Sequence, residues 1–418
     1  MFILYNLVLT LLSPIWVPWM LLRARRRKEA PNWRERSGNY TDAIPAKPKD
    51  KERIWVHAVS VGEVAAARPF LRELRRLAPN CEIVLSVTTS SGYQTAKDME
   101  MPPFDYVVYM PIDVPKFTLR AMQRVRPSVV VIMETELWMN FLWAAKVFDA
   151  KVLVVNGRMS DRAYRNSVRV KPFYRALFKD VDRCLVQSAV DAERFESLGA
   201  SGVEVFGNTK FDEAANVVTS VMDDWREKLG IEAGKPVVVV GSTRSEMEEE
   251  LVVSAFFELK DVVFVHAPRH VETAERIVNL VRSRSSDMRV GQRSKGETGE
   301  YLVLDTFGEL GSVYSIADVV VIGGGFDRLG GQNLIQPLAM GKPVLHGPNM
   351  FNFRDVSAAS VQAGASVVCA DAASLASSIR ELLEDSSRRE RMSSAAKALV
   401  AANVGASERY ADAVVGML

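Results

Sequence analysis

Short runs of apolar residues, rich in valine and isoleucine, alternate along the chain with segments whose apolar positions recur at helical spacing. Such continuous runs are typical of parallel strands buried on both faces. Strands are predicted at 53–57, 82–87, 106–109, 129–132, 151–155, 183–186, 236–240, 262–265, 301–304, 319–322 and 343–345. Because these strands alternate with helices, the chain is predicted to be an α/β protein with parallel, doubly wound sheets.

The length of the chain indicates more than one domain, since 418 residues exceed what one core ordinarily supports. The segment 212–234 is polar and helical and separates two strand–helix series, so the boundary is placed there. We expect a membrane anchor at 1–22, an N-terminal domain at 23–212 and a C-terminal domain at 213–418. The last helix is expected to pack back on the N-terminal domain, and two domains imply a cleft.

A glycine-rich stretch at 317–325 and 330–337 is predicted to form a buried strand, a turn and the start of a helix. Glycine allows positive φ and close backbone approach, and amides at a helix N-terminus attract anions. A nucleotide phosphate would fit on this turn. A tight strand–helix connection without a ligand is the alternative.

The first 22 residues contain no charged side chain, and a helix of that length covers about the 30 Å hydrocarbon thickness of a bilayer. The basic cluster Arg23, Arg25, Arg26, Arg27 and Lys28 follows directly, which places the body of the protein in the cytoplasm. Pro14 and Pro18 complicate a straight spanning helix, so a shallow or interfacial anchor remains an alternative.

Composition narrows the remaining classes of function. Charged residues make up 25% of the chain and the formal net charge is +2, so no bulk attraction to nucleic acid is expected. The three cysteines are isolated and lack metal-ligand spacing, so neither a disulfide nor a zinc site is expected. Any electrostatic function must therefore be local.

Two segments at strand ends carry candidate carboxylates. Glu63 follows Gly62 where the first helix should begin, so the helix dipole should favour its charged form, and Ser60 is either a cap or an acceptor contact. Glu134 and Glu136 follow the strand at 129–132. Arg158 or Arg162 could neutralise them. A first-turn glutamate that compensates the helix dipole and a structural ion pair are the respective alternatives.

Two arginines in the second half directly follow a predicted strand and turn. These are Arg244 and Arg269, the latter preceded by Pro268. Since arginine makes bidentate contacts with phosphate or carboxylate, the pair favours an anionic ligand over surface salt bridging.

Taken together, these motifs resemble the 3-deoxy-D-manno-octulosonic acid (Kdo) transferases of lipopolysaccharide synthesis. The resemblance rests on HAVSVGE at 57–63, METELW at 133–138, NGRMS at 156–160, KFD at 210–212, PRH at 268–270, DTFGEL at 305–310, GGQN at 330–333 and GPNMFNF at 347–353. It implies the GT-B fold, with two Rossmann-like domains facing a cleft, and an enzyme at the cytoplasmic face of the inner membrane.

The resemblance further implies an inverting transfer of Kdo from CMP-Kdo to a phosphorylated lipid A precursor, without a metal or other cofactor. The N-terminal domain would bind the acceptor and the C-terminal domain the donor. Glu63 would be the general base, with Glu134 and Lys210 stabilising the transition state. The implied CMP site comprises Pro268, Arg269, Phe307, Gly308, Glu309, Leu310, Asn333, Leu334, Ile335 and Gln336.

The departure from the family pattern that bears on the chemistry is Gln336, which stands where a glutamate is usual. Glutamine keeps one acceptor and loses the charge. Met139 stands where proline is common and Gln332 where histidine is frequent, but neither touches the implied chemistry directly. Two other classes of function remain open on the sequence. One is a GT-B enzyme that uses a UDP-sugar, and the other is a non-catalytic, membrane-anchored protein that binds nucleotide sugars.

Overall fold

The computed structural model describes residues 1–26, 32–220 and 224–418, and contacts among them define two compact units. The first unit comprises Met1–Thr209 and Gly405–Leu418, and the second comprises Lys210–Val404. The chain therefore leaves the first unit after Thr209 and returns to it for the last helix. Arg27 and Lys28 of the basic cluster lie outside the described residues.

Within the described residues, the first unit contains one seven-stranded parallel sheet of order β3-β2-β1-β4-β5-β6-β7. Its strands are β1 Arg53–His57, β2 Glu82–Val87, β3 Tyr106–Tyr109, β4 Val129–Met133, β5 Lys151–Gly157, β6 Arg183–Val186 and β7 Val203–Val205. Its helices are α1 Phe2–Arg26, α2 Trp33–Arg36, α3 Val61–Leu77, α4 Ser90–Lys97, α5 Pro115–Val125, α6 Met139–Val147, α7 Asp161–Arg169, α8 Lys171–Phe178 and α9 Ala189–Leu198.

The described part of the second unit has its own seven-stranded parallel sheet, of order β10-β11-β9-β8-β12-β13-β14. The strands are β8 Val237–Thr243, β9 Val263–Pro268, β10 Val290–Gln292, β11 Tyr301–Val303, β12 Val319–Ile322, β13 Val344–His346 and β14 Ser366–Val368. The helices are α10 Lys210–Ser220, α11 Trp225–Lys228, α12 Glu246–Phe257, α13 Ala274–Arg284, α14 Leu310–Val313, α15 Ile335–Ala339, α16 Arg354–Gln362, α17 Ala372–Glu384 and α18 Ser386–Asn403.

The predicted parallel, doubly wound architecture is confirmed, and a strand occurs at each predicted apolar run. The central strands β1, β4, β8 and β12 pack helices on both faces, which explains why their valine-rich runs lack alternation. The three-residue strands β7, β10 and β14 were not predicted. The strands β11 and β13 are equally short, but β7, β10 and β14 each include a polar residue or glycine that interrupts the apolar run (VEV, VGQ and SVV).

The last helix, α19 Ala406–Val415, packs against α3 in the first unit. Tyr410 is fully buried, and its hydroxyl donates to the carbonyl oxygen of Gly207 at 2.7 Å. Arg409 donates to the carbonyl oxygen of Phe206 at 2.8 Å. These contacts fix the C-terminus beside β6 and β7.

Helix α1 continues through both of its prolines. Pro14 has no N–H to donate to the carbonyl oxygen of Thr10, and the hydroxyl of Ser13 donates to that oxygen instead, at 2.7 Å. Among the helices that the structure describes, this one alone is long and apolar enough to cross a membrane, with a mean hydropathy of 1.5 over Phe2–Trp19.

Candidate active site

The carboxylate of Glu63 lies in the first turn of α3, directly after β1. Its Oε2 accepts the backbone N–H of Val59 at 2.8 Å, and its Oε1 accepts the hydroxyl of Ser60 at 3.3 Å. Ser60 occupies the N-cap position, but its hydroxyl accepts no capping hydrogen bond from a backbone N–H of the helix. The carboxylate is therefore held at the carboxyl end of β1, the edge at which α/β proteins bind ligands.

The environment of Glu63 makes it a stronger base than an ordinary glutamate. Burial raises its pKa from the usual 4.5 to about 7, although the hydrogen bond from Val59 acts in the opposite direction. The negative charges of Glu134 and Glu136 contribute smaller parts of this increase in pKa. Desolvation and like charges thus outweigh the helix dipole, which was expected to favour the charged form. A pKa near neutrality suits a general base.

Glu134 and Glu136 follow β4, the neighbour of β1 in the sheet. The Nε of Arg158 lies 3.6 Å from Oε2 of Glu134, so Arg158 is the partner, whereas Arg162 is exposed on α7. Burial, together with the charge of Glu134, raises the pKa of Glu136. Glu134 also has a φ of 57°, a left-handed conformation that non-glycine residues seldom adopt. Such strain is common at functional sites.

In the second unit, Arg244 and Arg269 extend from the same edge of the sheet. The strands β8 and β9 pair in parallel with Thr243 opposite Pro268, and the N–H of Arg269 donates to the carbonyl oxygen of Thr243 at 2.9 Å. Both arginine side chains are exposed. The structure therefore brings two guanidinium groups to adjacent strand ends, where a phosphate can bind.

A buried histidine that the sequence did not single out supports this edge. Nε2 of His266 lies 2.8 Å from Oγ1 of Thr243, and Nδ1 lies 2.7 Å from the hydroxyl of Tyr301. Burial lowers the pKa of His266 to about 3, so the ring is neutral near pH 7. A neutral imidazole donates through one nitrogen and accepts through the other, and it therefore links β8, β9 and β11.

The glycine-rich turn after β12 is filled from within by Glu248, a fully buried carboxylate on α12. Its oxygens accept the N–H groups of Gly324 at 2.8 Å, Phe326 at 3.0 Å, Asp327 at 3.3 Å and Arg244 at 3.0 Å. The prediction that a phosphate uses the amides of this turn is therefore wrong for these groups, because the protein's own carboxylate satisfies them. The following helix, α15, is only five residues long.

The role of Glu248 has a sequence signal that was missed. Ser245 and Glu248 have the serine–x–x–glutamate spacing of a helix N-terminus, as do Ser60 and Glu63. In both units this glutamate accepts the N–H of the residue four positions earlier, just after the first strand of the unit. The two carboxylates differ in what surrounds them, since only Glu248 is enclosed by loop amides.

The segment from Phe307 to Leu310 forms an exposed loop that leads into α14. Phe307 is 78% exposed, and Gly308 has a φ of 84°. Burial opposes ionisation of Glu309, but hydrogen bonds from Arg293 and Thr306 outweigh it and lower the pKa of this carboxyl. The Nη2 of Arg293 lies 3.1 Å from Oε1 of Glu309. The side chain of Glu309 is thus engaged by the protein, which leaves the loop backbone and Phe307 for a ligand.

The segment Asn333 to Gln336 is divided between core and surface. Leu334 and Ile335 are fully buried in the hydrophobic core, so only their backbone groups can face a ligand, contrary to a role for their side chains. Oδ1 of Asn333 accepts the N–H of Ile335 at 3.0 Å, which shapes the turn into α15. Gln336 is partly exposed.

Lys210 is the first residue of the second unit and begins α10. Its Nζ lies 5.3 Å from the centre of the Phe353 ring, within the range of a cation–π contact. This contact joins two of the motifs noted in the sequence, KFD and GPNMFNF.

Comparisons with known proteins follow the same division of the chain. A profile of the family "3-Deoxy-D-manno-octulosonic-acid transferase (kdotransferase)" matches residues 31–213, and a profile of "Glycosyl transferases group 1" matches residues 304–399. The chain is 32% identical to the 3-deoxy-D-manno-octulosonic acid transferase of Bordetella pertussis, over 98% of each chain. It is 27% identical to the Haemophilus influenzae protein of the same name, over 90% of this chain and 89% of that one.

Solved structures with a similar fold include a glycosyltransferase from Rickettsia africae, with a TM-score of 0.60 and 12% identity over 88% of this chain and 98% of that one. The UDP-GlcNAc 2-epimerase from Neisseria meningitidis has a TM-score of 0.61 and 12% identity over 87% and 99% of the respective chains. At such low identity the likeness concerns the fold alone. That fold is GT-B, with one Rossmann-like domain in each unit.

Proposed function

Because the chain belongs to the Kdo transferase family, we propose that it moves Kdo from CMP-Kdo to a phosphorylated lipid A precursor, lipid IVA, in lipopolysaccharide biosynthesis. The first unit binds the acceptor and the second unit binds the donor. The anomeric carbon of Kdo is inverted, since the acceptor oxygen attacks from the face opposite the departing CMP.

The observation that carries the mechanism is the position of Glu63 at the carboxyl end of β1, where the N–H of Val59 holds its carboxylate at 2.8 Å and burial raises its pKa to about 7. Its carboxylate takes the proton of the acceptor hydroxyl while the acceptor oxygen forms a bond to the anomeric carbon. The bond between that carbon and the phosphate oxygen breaks, and CMP leaves with the bonding electrons. Glu134 and Lys210 act in support by stabilising charge in the transition state.

Arginine side chains at the donor site take the place of a divalent ion. The guanidinium groups of Arg244 and Arg269 can neutralise the phosphate that carries the leaving charge. Backbone groups of Pro268 and of the loop from Phe307 to Leu310 position the cytidine. We therefore infer that transfer is independent of metal.

Contacts of α1 support an anchor that lies in the membrane interface. The hydroxyl of Tyr5 donates to Asp113 at 2.8 Å, and the amides of Asn6 and Asn140 exchange hydrogen bonds of 2.8 and 2.9 Å. A helix spanning from residue 1 to the basic cluster would carry Tyr5 and Asn6 about 30 Å away, to the opposite surface of the bilayer. Docked to the body, α1 instead presents exposed leucines to the lipid.

The test of the proposed function is an assay of CMP release from CMP-Kdo with lipid IVA as acceptor, with the product identified by mass. EDTA should leave the rate unchanged. Loss of activity with EDTA and its recovery with magnesium would refute metal independence. Turnover of a UDP-sugar in place of CMP-Kdo would refute the assignment of the donor.

A further inference from the structure

A cavity of about 310 Å³ lies in the first unit between α1 and the body of the domain. This volume is at the lower end of the range for small-molecule sites. Its walls are mainly apolar and are formed by Leu9 and Trp16 of α1 and by Met110, Ile112, Val114 and Trp138 of the body. The cavity exists only because α1 is docked, since the helix provides one of its two sides.

Backbone hydrogen bonds connect the wall of the cavity to the proposed general base. Thr88 lines the cavity, and its backbone N–H donates to the carbonyl oxygen of Val59 at 3.2 Å. The N–H of Val59 in turn donates to the Glu63 carboxylate at 2.8 Å. Trp138 ends the METELW segment that contains Glu134, so a second wall of the cavity also leads to the carboxylate cluster.

The rim carries a positive charge in a fixed position. The Nη2 of Arg36 donates to the carbonyl oxygen of Thr88 at 2.8 Å, and its guanidinium stacks 4.5 Å from the centre of the Tyr109 ring. On the outer side of α1, Leu11 and Ile15 are 68% and 69% exposed. The cavity thus lies between an exposed apolar face of α1 and the guanidinium of Arg36.

We propose that this cavity takes one acyl chain of the acceptor lipid while the acceptor hydroxyl lies at Glu63. The proposal rests on the proposed function and adds a subsite to it. An acyl chain that moves from the bilayer into an apolar cavity stays out of water in both places. The hydrophobic effect therefore adds little to the affinity for the acceptor. The role of the cavity is instead to orient the sugar headgroup of the acceptor. Orientation matters because a misplaced reacting group lowers the rate strongly.

The first experiment fills the cavity with Leu9→Trp and uses Leu11→Trp as the matched control, on the exposed side of the same helix. The readout is the ratio of kcat/KM for acylated acceptor to kcat/KM for its deacylated phosphodisaccharide. We expect Leu9→Trp to lower this ratio about tenfold. Leu11→Trp should change it by less than about twofold. An unchanged ratio in Leu9→Trp, or an equal fall in both variants, would overturn the proposal.

A second experiment uses the wild-type chain and requires no catalysis. Acceptor with a diazirine in its acyl chain is photolysed in vesicles with the protein, and crosslinked residues are mapped by mass spectrometry. We expect labels on the cavity residues Ile112 and Trp138, with loss of these labels when unlabelled acceptor competes. Labels confined to Leu11 and Ile15, or equal cavity labelling by a diazirine phospholipid, would overturn the proposal. Absence of Kdo transfer would refute only the proposed function.

Discussion

The environment of Glu63 predicts how activity depends on pH. With a pKa of about 7, only about a tenth of the enzyme has the base ionised at pH 6. The kcat/KM should therefore be about tenfold below its plateau at pH 6 and about a hundredfold below it at pH 5. If the pKa were the ordinary 4.5, nearly all of the enzyme would be active at pH 6.

The perturbation that isolates this group is Glu136→Gln. Burial is the largest cause of the raised pKa of Glu63, and the charge of Glu136 adds to it. Removing that charge should shift the acid limb of the profile to lower pH and leave the Glu134–Arg158 pair in place. Phosphates on the acceptor also titrate near pH 6, but the substitution cannot move their pKa values in the free substrate.

The assay measures CMP release from pH 5 to 9 with deacylated acceptor, so that the state of the membrane does not vary. A profile that is flat from pH 5.5 to 8 would rule out a general base with a pKa of about 7. So would an acid limb that Glu136→Gln leaves in place or moves to higher pH.

The raised pKa of Glu63 also makes the free energy of unfolding fall as the pH rises. The folded state binds the proton of Glu63 more tightly than the unfolded state, so this stabilisation is complete below about pH 4.5 and is lost as the pH rises through 7. At about 1.36 kcal/mol per pKa unit, the loss is about 3 kcal/mol. Glu63→Gln should therefore raise the Tm at pH 8 and have a smaller effect at pH 5, while activity falls by about 10² to 10⁴.

Three further predictions concern the donor loop and the anchor. Glu248→Ala leaves buried loop amides unpaired, so it should raise the KM for CMP-Kdo and lower the free energy of unfolding by about 3 kcal/mol, measured by denaturant titration. An unchanged KM for CMP-Kdo would contradict the role of Glu248 in holding the loop after β12. Gln336→Glu should strengthen CMP-Kdo binding by up to about 1 to 2 kcal/mol in calorimetry, because a carboxylate accepts hydrogen bonds from ribose hydroxyls more strongly than an amide. A large loss of affinity for CMP-Kdo would contradict a contact between residue 336 and the ribose. A protease-cleavable peptide tag fused ahead of Met1 should be cut by added protease only in inside-out vesicles; cleavage from the periplasmic side alone would establish a spanning helix.

The architecture could be predicted because its determinant is local. A run such as 319–322 is apolar throughout since its strand is covered on both faces, and that requirement is visible in four residues. The positions of Glu63 and of Arg244 and Arg269 follow from the same rule, because each comes directly after a strand.

Other features depend on contacts that are distant in sequence. Glu248 lies in a run of glutamates, and its spacing from Ser245 is typical of the start of a helix. Its contact with the N–H of Gly324 joins residues 76 positions apart, so that spacing alone could not show that the side chain turns inward to the loop after β12. The pairing of Tyr5 with Asp113 joins residues 108 positions apart, so the apolar pattern of α1 could not decide between a spanning and an interfacial helix. The burial of Leu334 and Ile335 likewise depends on how α15 packs against the core.

The role of Glu63 is tested most directly by the pH dependence of Kdo transfer from CMP-Kdo to lipid IVA, measured side by side for the wild-type chain and for Glu63→Gln. The wild type should form product with an acid limb near pH 7, and Glu63→Gln should lose both the activity and the limb while its fold stays intact. Near wild-type turnover by Glu63→Gln would contradict the assignment of Glu63 as the general base.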